Sequence, residues 1–252
     1  MLVIAGSDTS GGAGLQADLR SATLLGARAL TVATALTCQS PSRVYSVTWL
    51  SAAQVARQLD AALAQSQPAV VKIGMIASAS IAAAVARQLA RLPETTPVVY
   101  DPVFAASADG TALWHSRRPP TLHSLRTLLA RVTVLTPTWR ETATLLQSPA
   151  PDRADQAVAL ARRLLPSLHP TAAVVLKGGD ADLSSDTLTD RIVTAHGVQT
   201  LERARLAQTM HGTGCSFASA LAVELARGLP VAQAAAKAGT WVATQIARQP
   251  NS

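Results

Sequence analysis

The sequence predicts an α/β fold: one domain with a central, mostly parallel sheet and helices on both of its faces. Short segments rich in Val, Ile, Leu and Ala alternate with longer segments of helical spacing, and this is the order that a parallel sheet with crossover helices requires. The short segments are continuous apolar runs, as strands buried on both faces are. Met75, Asp101 and the Gly178-Gly179 pair fall at the ends of such runs, where ligands bind in such sheets, beyond the strand carboxyl ends.

In chain order, residues 2–6 read as a buried strand and residues 7–14 as a polar, glycine-rich loop. This loop feeds a helix over residues 15–25. Residues 12–17 fit a loose dinucleotide fingerprint, but no acidic residue lies between Asp18 and Asp60 to hold a ribose, and no lysine follows the glycines as in a Walker A loop. The loop is then either a close backbone approach to a ligand or a plain turn.

Residues 29–36 and 44–50 read as strands around a loop that holds Gln39. An amide there has the donor and acceptor needed to read a heterocycle edge, and it also suits an exposed loop. Ser51 is the expected N-cap of a helix ending at Gln65. Residues 70–75 form a strand, residues 78–91 a helix, residues 98–101 a strand, residues 121–131 a helix and residues 132–135 a strand. A short helix starts near Trp139 behind Pro137, and a strand spans residues 172–176. A strand or hairpin is expected around residues 188–194, and Pro230 is expected at the first position of a last helix over residues 231–248.

The length of 252 residues suffices for a full core, since chains of this size bury about 70–75% of their extended surface. Hydrophobic residues make up 48% and charged residues 15%, without an eighteen-residue apolar run or a basic segment ahead of one. Neither a membrane span nor a signal peptide is expected, and the expected location is the cytoplasm. Cys38 and Cys215 cannot form a disulfide framework, and no Cys/His cluster has zinc spacing. The net charge of +7 is scattered along helices and aromatic residues are only 3%. This favours a solvated basic surface over nucleic-acid binding, which uses stacking platforms.

The richest stretch is residues 209–216, Thr-Met-His-Gly-Thr-Gly-Cys-Ser, which runs into an apolar helix marked by Phe217, Leu221 and Leu225 and closed by Gly228. A helix N-terminus carries unpaired N–H groups and about half a positive charge, so residues 212–215 suit a phosphate. Cys215 lies in the first turn, where the dipole would lower a thiol pKa and favour a proton-accepting thiolate. The other reading is a tight turn followed by a small buried hydrophobe.

The chain resembles the ribokinase-like kinases, and within them the hydroxymethylpyrimidine/phosphomethylpyrimidine kinases of thiamine biosynthesis. Residues 5–18 resemble the family's opening signature. Lys72-Ile73-Gly74-Met75, Asp101-Pro102-Val103, Lys177-Gly178-Gly179 and His211-Gly212-Thr213-Gly214-Cys215 follow in the family's order. Cys215 stands where sugar kinases of the superfamily place Asp.

The resemblance implies a ribokinase-like three-layer sandwich and a kinase that uses ATP and Mg²⁺ to phosphorylate 4-amino-5-hydroxymethyl-2-methylpyrimidine and then its monophosphate. It implies that Gln39 reads the aminopyrimidine, that Ala13, Met75, Val103 and Asp18 complete the substrate site, and that Lys177, Thr213 and Gly212 meet the nucleotide. Gly212 and Gly214 would form the anion hole, Cys215 would stand near the substrate hydroxyl and Glu141 on the metal side. The implied partners are these small molecules, with a homodimer left open.

The chain departs from the family pattern at four places. Thr138 replaces the Asn of Asn-x-x-Glu, Asp180 replaces a His after the glycine pair, Met210 replaces a Thr, and no Lys occurs in residues 104–110. The rival readings are a pyridoxal or pyridoxine kinase and a pyrimidine-binding homologue with weakened catalysis.

Overall fold

The computed structural model describes residues 1–116, 118–179, 185–208 and 210–248. Asp180 and Thr209, noted in the sequence, lie outside them. The described residues form one nine-stranded sheet of order β3-β2-β1-β4-β5-β6-β7-β8-β9. Its strands are β1 (Leu2–Asp8), β2 (Leu30–Ser40), β3 (Arg43–Trp49), β4 (Val71–Ile73), β5 (Val98–Tyr100), β6 (Val134–Leu135), β7 (Ala173–Leu176), β8 (Thr187–Thr194) and β9 (Gly197–Ala204). Pairing is parallel from β2 to β7, and antiparallel where β3 closes one edge and the β8–β9 hairpin the other. The strand order reverses between β1 and β4, which opens a crevice at their carboxyl ends.

Helices α1 (Gly14–Leu24), α2 (Ala52–Gln65), α3 (Ala79–Leu89), α4 (Leu122–Leu129), α5 (Trp139–Leu146), α6 (Ala154–Leu164), α7 (Thr213–Ala226) and α8 (Val231–Ala247) cover the two faces. The period-two alternation of each strand sorts its side chains between them. Leu2, Ile4, Val71, Ile73, Val98, Tyr100, Val174 and Leu176 join the core under α2 to α6. Val99, Val134, Ala173 and Val175 meet Phe217, Leu221 and Val242 of α7 and α8, and Val3 and Ala5 meet Leu15 of α1. Nine consecutive residues of α7 from Ser216 are buried, so this helix is enclosed all round rather than amphipathic. Leu221→Ala would cost about 2–5 kcal/mol.

The same alternation places Lys72, between Val71 and Ile73, on the α1/α7 face, although it is a charged residue with no exposure. Its Nζ donates to both Asp18 oxygens at 2.7 and 2.8 Å, and Ser219 Oγ donates to Asp18 Oδ1 at 2.7 Å. Burial pushes the Asp18 carboxyl up and would alone push Lys72 down, but the adjacent carboxylate holds Lys72 above the ordinary lysine range. This buried polar knot ties α1, β4 and α7 together directly below the crevice.

Several boundaries differ from the sequence reading. The second strand extends to Ser40, so Gln39 is a strand residue paired with Val44 beyond a bulge; parallel partners on β1 and antiparallel partners on β3 satisfy the backbone of this polar stretch. Helix α6 adds an element that the sequence reading lacks, with Ala157, Ala161 and Leu164 as its buried stripe. Pro230 is the N-cap of α8, one place ahead of the expected first helical position. Ser51 forms the expected cap of α2, completed by Gln54 as a capping box.

Candidate active site

At the carboxyl edge of the sheet, the end of β1 leads into a tight loop built on Asp8. Its Oδ1 accepts from Ser10 N–H at 2.9 Å and Ser10 Oγ at 2.8 Å, and its Oδ2 accepts from Ala13 N–H at 2.7 Å. Burial pushes the Asp8 carboxyl up, but the Ala13 N–H, the Ser10 donors and His211 outweigh it, and the net direction is down. Ala13, the N-cap of α1, is thereby fixed at the crevice.

The loop ahead of α7 closes over this turn. Gly212 is its N-cap at φ +78°, and a Cβ there would stand 2.1 Å from the Gly12 carbonyl oxygen. Only glycine allows both the left-handed backbone and so close an approach. The His211 ring lies against Gly12, where a Cβ would meet Cδ2 at 2.3 Å. His211 Nε2 is 3.3 Å from Asp8 Oδ2 and 3.3 Å from Gln39 Nε2.

On the other side, α7 faces a charged cluster. A Cβ on Gly214 would lie 3.3 Å from Lys177 Nζ and 3.9 Å from Asp101 Oδ2. Lys177 Nζ, just past β7, donates to Asp101 Oδ1 at 2.7 Å and lies 3.8 Å from Glu141 Oε2. Thr136 Oγ1 donates to Asp101 Oδ1 at 3.2 Å, while the buried Asp101 Oδ2 has no hydrogen-bond partner. The carboxylates hold Lys177 above the ordinary lysine range against the burial that lowers it. Glu141 is pushed up to about 7 by burial and by Asp101, against Lys177 and the Thr138 N–H.

An orphaned carboxylate oxygen beside a second, charge-strained carboxylate fits a hard cation. Among the described residues no group of three or more Asp, Glu, His or Cys could hold a metal. A pair of carboxylates matches the habit of Mg²⁺, which takes one or two protein carboxylates and completes its shell with phosphate and water.

Thr138 is the N-cap of α5. Its Oγ1 accepts from Glu141 N–H at 3.2 Å and its own N–H donates to Glu141 Oε2 at 2.6 Å. The departure at this position therefore keeps a capping box that orients Glu141. Met75 is buried, with its sulfur where a Gly6 Cβ would meet it at 2.6 Å and its carbonyl accepting from Thr34 Oγ1 at 2.6 Å. Val103 is half-buried, its N–H donating to the Asp101 carbonyl at 2.8 Å. Thr213 opens α7 as a half-buried residue.

Two expectations are corrected. Asp18 lies beneath the site with no exposure, and both its oxygens are engaged by Lys72 and Ser219, so it has no free edge for a substrate. The Cys215 thiol is not lowered: the packing around the sulfur pushes it up to about 11, helped by Asp18 and Asp101 and opposed by Lys72 and a Gly14 backbone hydrogen bond. Desolvation there outweighs the helix terminus, and the ligand-free side chain is a neutral thiol at neutral pH.

Other contributors received no role from the sequence. Asp190 of β8 accepts the Gly178 N–H at 2.9 Å and pairs with Arg203 of β9 at 2.7 Å, which holds the glycine pair after β7. An acidic residue in mid-strand, two places ahead of the apolar pair Ile192-Val193, was the signal for Asp190, and an aspartate at a strand carboxyl end was the signal for Asp8.

A parallel sheet whose crevice brings a glycine turn at a helix N-terminus against one lysine and paired carboxylates defines a phosphoryl-transfer enzyme of the ribokinase-like class. The family model described as phosphomethylpyrimidine kinase matches residues 8–252. The hydroxymethylpyrimidine/phosphomethylpyrimidine kinase of Escherichia coli strain K12 is 35% identical over 249 residues, 98% of this chain and 90% of that protein. A pyridoxal kinase from Staphylococcus aureus, solved with pyridoxal, superposes with a TM-score of 0.84 at 27% identity, covering 99% of this chain and 88% of that one; it has also been solved with AMP-PCP. The phosphomethylpyrimidine kinase of Clostridium difficile 630 superposes at 0.78 with 26% identity, covering 97% and 98%. The chain belongs to the phosphomethylpyrimidine kinase family.

Proposed function

We propose that the protein is an ATP-dependent kinase that phosphorylates 4-amino-5-hydroxymethyl-2-methylpyrimidine and then its monophosphate in thiamine biosynthesis. One observation supports this most: the α7 N-terminus touches the Gly12 backbone on one side and the Lys177–Asp101 pair on the other. An acceptor held by the first loop and a nucleotide held by the second would meet over the unpaired N–H groups of residues 212–215.

Catalysis here is positioning plus charge stabilisation. Phosphoryl transfer runs through a loose transition state whose charge spreads over the equatorial oxygens, so fixed donors aimed at them do most of the work. Gly212, Thr213 and Gly214 would supply backbone donors, and Lys177 a cation next to them. Asp101 and Glu141 would hold Mg²⁺, which when bound supplies charge neutralisation between phosphate oxygens. Gln39 would read the aminopyrimidine edge, with Ala13, Met75 and Val103 forming the apolar wall. Cys215 would sit beside the acceptor oxygen, and its minor thiolate form would take up the hydroxyl proton as the phosphate bond forms, since a neutral thiol is not a base.

A second reading, kinase action on pyridoxal, rests on the superposition with the S. aureus pyridoxal kinase. Purified protein incubated with ATP, Mg²⁺ and each alcohol, followed for ADP release and by phosphorus NMR of the product, separates the two. A higher kcat/KM for the pyridine alcohol would overturn the first reading. No helix among the described residues is long and apolar enough to cross a membrane. We expect a cytoplasmic enzyme whose partners are its small-molecule substrates, with a homodimer left open.

A further inference from the structure

The contacts around Gln39 do not satisfy one another as placed. Thr37 Oγ1 has a single hydrogen, and it is directed to the Ser7 carbonyl at 2.9 Å. It cannot also donate to Gln39 Oε1, which lies 3.4 Å away. At the other end Gln39 Nε2, a donor only, faces His211 Nε2 at 3.3 Å, and the same ring nitrogen faces the Asp8 carboxylate at 3.3 Å. Asp8 Oδ2 is an acceptor that already draws the Ala13 N–H at 2.7 Å. One nitrogen cannot accept from an amide and donate to a carboxylate at once.

Exchanging the amide oxygen and nitrogen of Gln39 removes every conflict. The amide NH₂ then donates to Thr37 Oγ1, whose lone pairs are free, and a proton on His211 Nε2 is shared between Asp8 Oδ2 and the Gln39 oxygen. Assignment of the two ends from the hydrogen-bond network is the physical criterion for such amides. The Gln39 backbone is held independently, its N–H donating to Thr9 Oγ1 at 2.8 Å, so the side chain turns on a fixed base.

We propose that His211 is a positioning residue that sets the polarity of the Gln39 amide through an Nε2 proton anchored by Asp8, and thereby selects a cyclic amidine edge on the substrate. With one amide hydrogen spent on Thr37 and one oxygen lone pair on His211, the outer edge of the amide keeps one N–H beside one lone pair. That pair complements a ring nitrogen next to an exocyclic amino group, as in an aminopyrimidine, and does not complement a pyridine alcohol without that pair. The His211 ring is seated against Gly12, which blocks its movement on that side.

This inference rests on Gln39 reading the substrate, and its tests separate the two. Nitrogen-15 NMR of histidine-labelled, ligand-free protein near neutral pH, with His211 assigned from the His211→Ala spectrum, should show a protonated, pyrrole-type Nε2; a pyridine-type Nε2 overturns the proposal. In kinetics, His211→Ala should raise KM for the aminopyrimidine about 3- to 10-fold, the worth of one hydrogen bond, with KM for ATP unchanged. In a Gln39→Ala background the same change should add nothing; an equal rise there would show that His211 acts without Gln39 and overturn the proposal. A wild-type protein inert toward the aminopyrimidine would refute the functional reading instead, and the nitrogen spectrum would still decide the His211 bond.

Discussion

Asp18→Asn tests whether this aspartate belongs to the buried frame or to the substrate site. The amide keeps the shape and an acceptor for Ser219, but it leaves Lys72 charged, without exposure and with no hydrogen-bonded carboxylate. Lys72 can escape that state by giving up its proton. One pKa unit is worth about 1.36 kcal/mol, so discharging a lysine of ordinary pKa, about 10.4, near pH 7 costs about 4.6 kcal/mol. That ceiling agrees with the about 3–5 kcal/mol lost when one partner of a buried pair is removed. Total stability of a protein is only about 5–15 kcal/mol, so the loss is large.

The sign with pH is diagnostic. In the variant, native Lys72 is neutral while the unfolded lysine still holds its proton, so the unfolded state binds one proton more and stability rises with pH by about 1.36 kcal/mol per unit. In the wild type Lys72 is raised and stays protonated in both states below the unfolded lysine pKa, so this group contributes no slope there. Urea denaturation of both proteins at about pH 7 and about pH 9 should therefore find the variant recovering about 2.7 kcal/mol relative to wild type. A variant within about 1 kcal/mol of wild type, with a parallel pH dependence, would show that the pair is not the strut described.

Further outcomes are expected. Cys215→Ala should lower kcat by about 10²- to 10⁴-fold if the thiolate form receives the acceptor proton. Because the thiol is pushed up to about 11, wild-type alkylation by iodoacetamide should be slow at neutral pH and climb about tenfold per pH unit toward that value; a plateau below it would contradict the burial argument. Gly212→Ala should reduce kcat by about 10²- to 10³-fold, the scale of a lost oxyanion donor, since its Cβ would strike the Gly12 oxygen; normal turnover would remove this loop from the reaction. Glu141→Gln should raise the Mg²⁺ needed for half-maximal rate, whereas Thr138→Asn should lower it while stability stays within about 0.5 kcal/mol, because Asn caps helices as well as Thr; Mg²⁺ titrations of both variants check the pair.

Much of the fold is legible in the sequence because it follows from local rules. Continuous apolar runs mark strands covered on both faces, Ser51 and Ser78 mark helix starts, and Gly228 stands just past α7 at φ +85°. The motifs around Gly12, Lys177 and Gly212 are likewise readable, because a backbone that must pass another backbone closely requires glycine. Helix α6 is harder to see, since its buried stripe consists mainly of alanines among arginines.

The roles of the charged residues were decided by tertiary structure. Lys72 and Asp18 are 54 positions apart in the chain, and strand alternation on one element and helix phase on another bring them into a sealed pair, where proximity to a motif suggested a substrate contact. The helix dipole argues for a reactive Cys215, but burial depends on atoms from α1 and β4 that no local window contains, and desolvation wins. Residue order alone therefore determines which elements form and where their loops open. Which side chains stay charged, and which oxygens are left free for a ligand, depends on through-space contacts and on the water that packing removes.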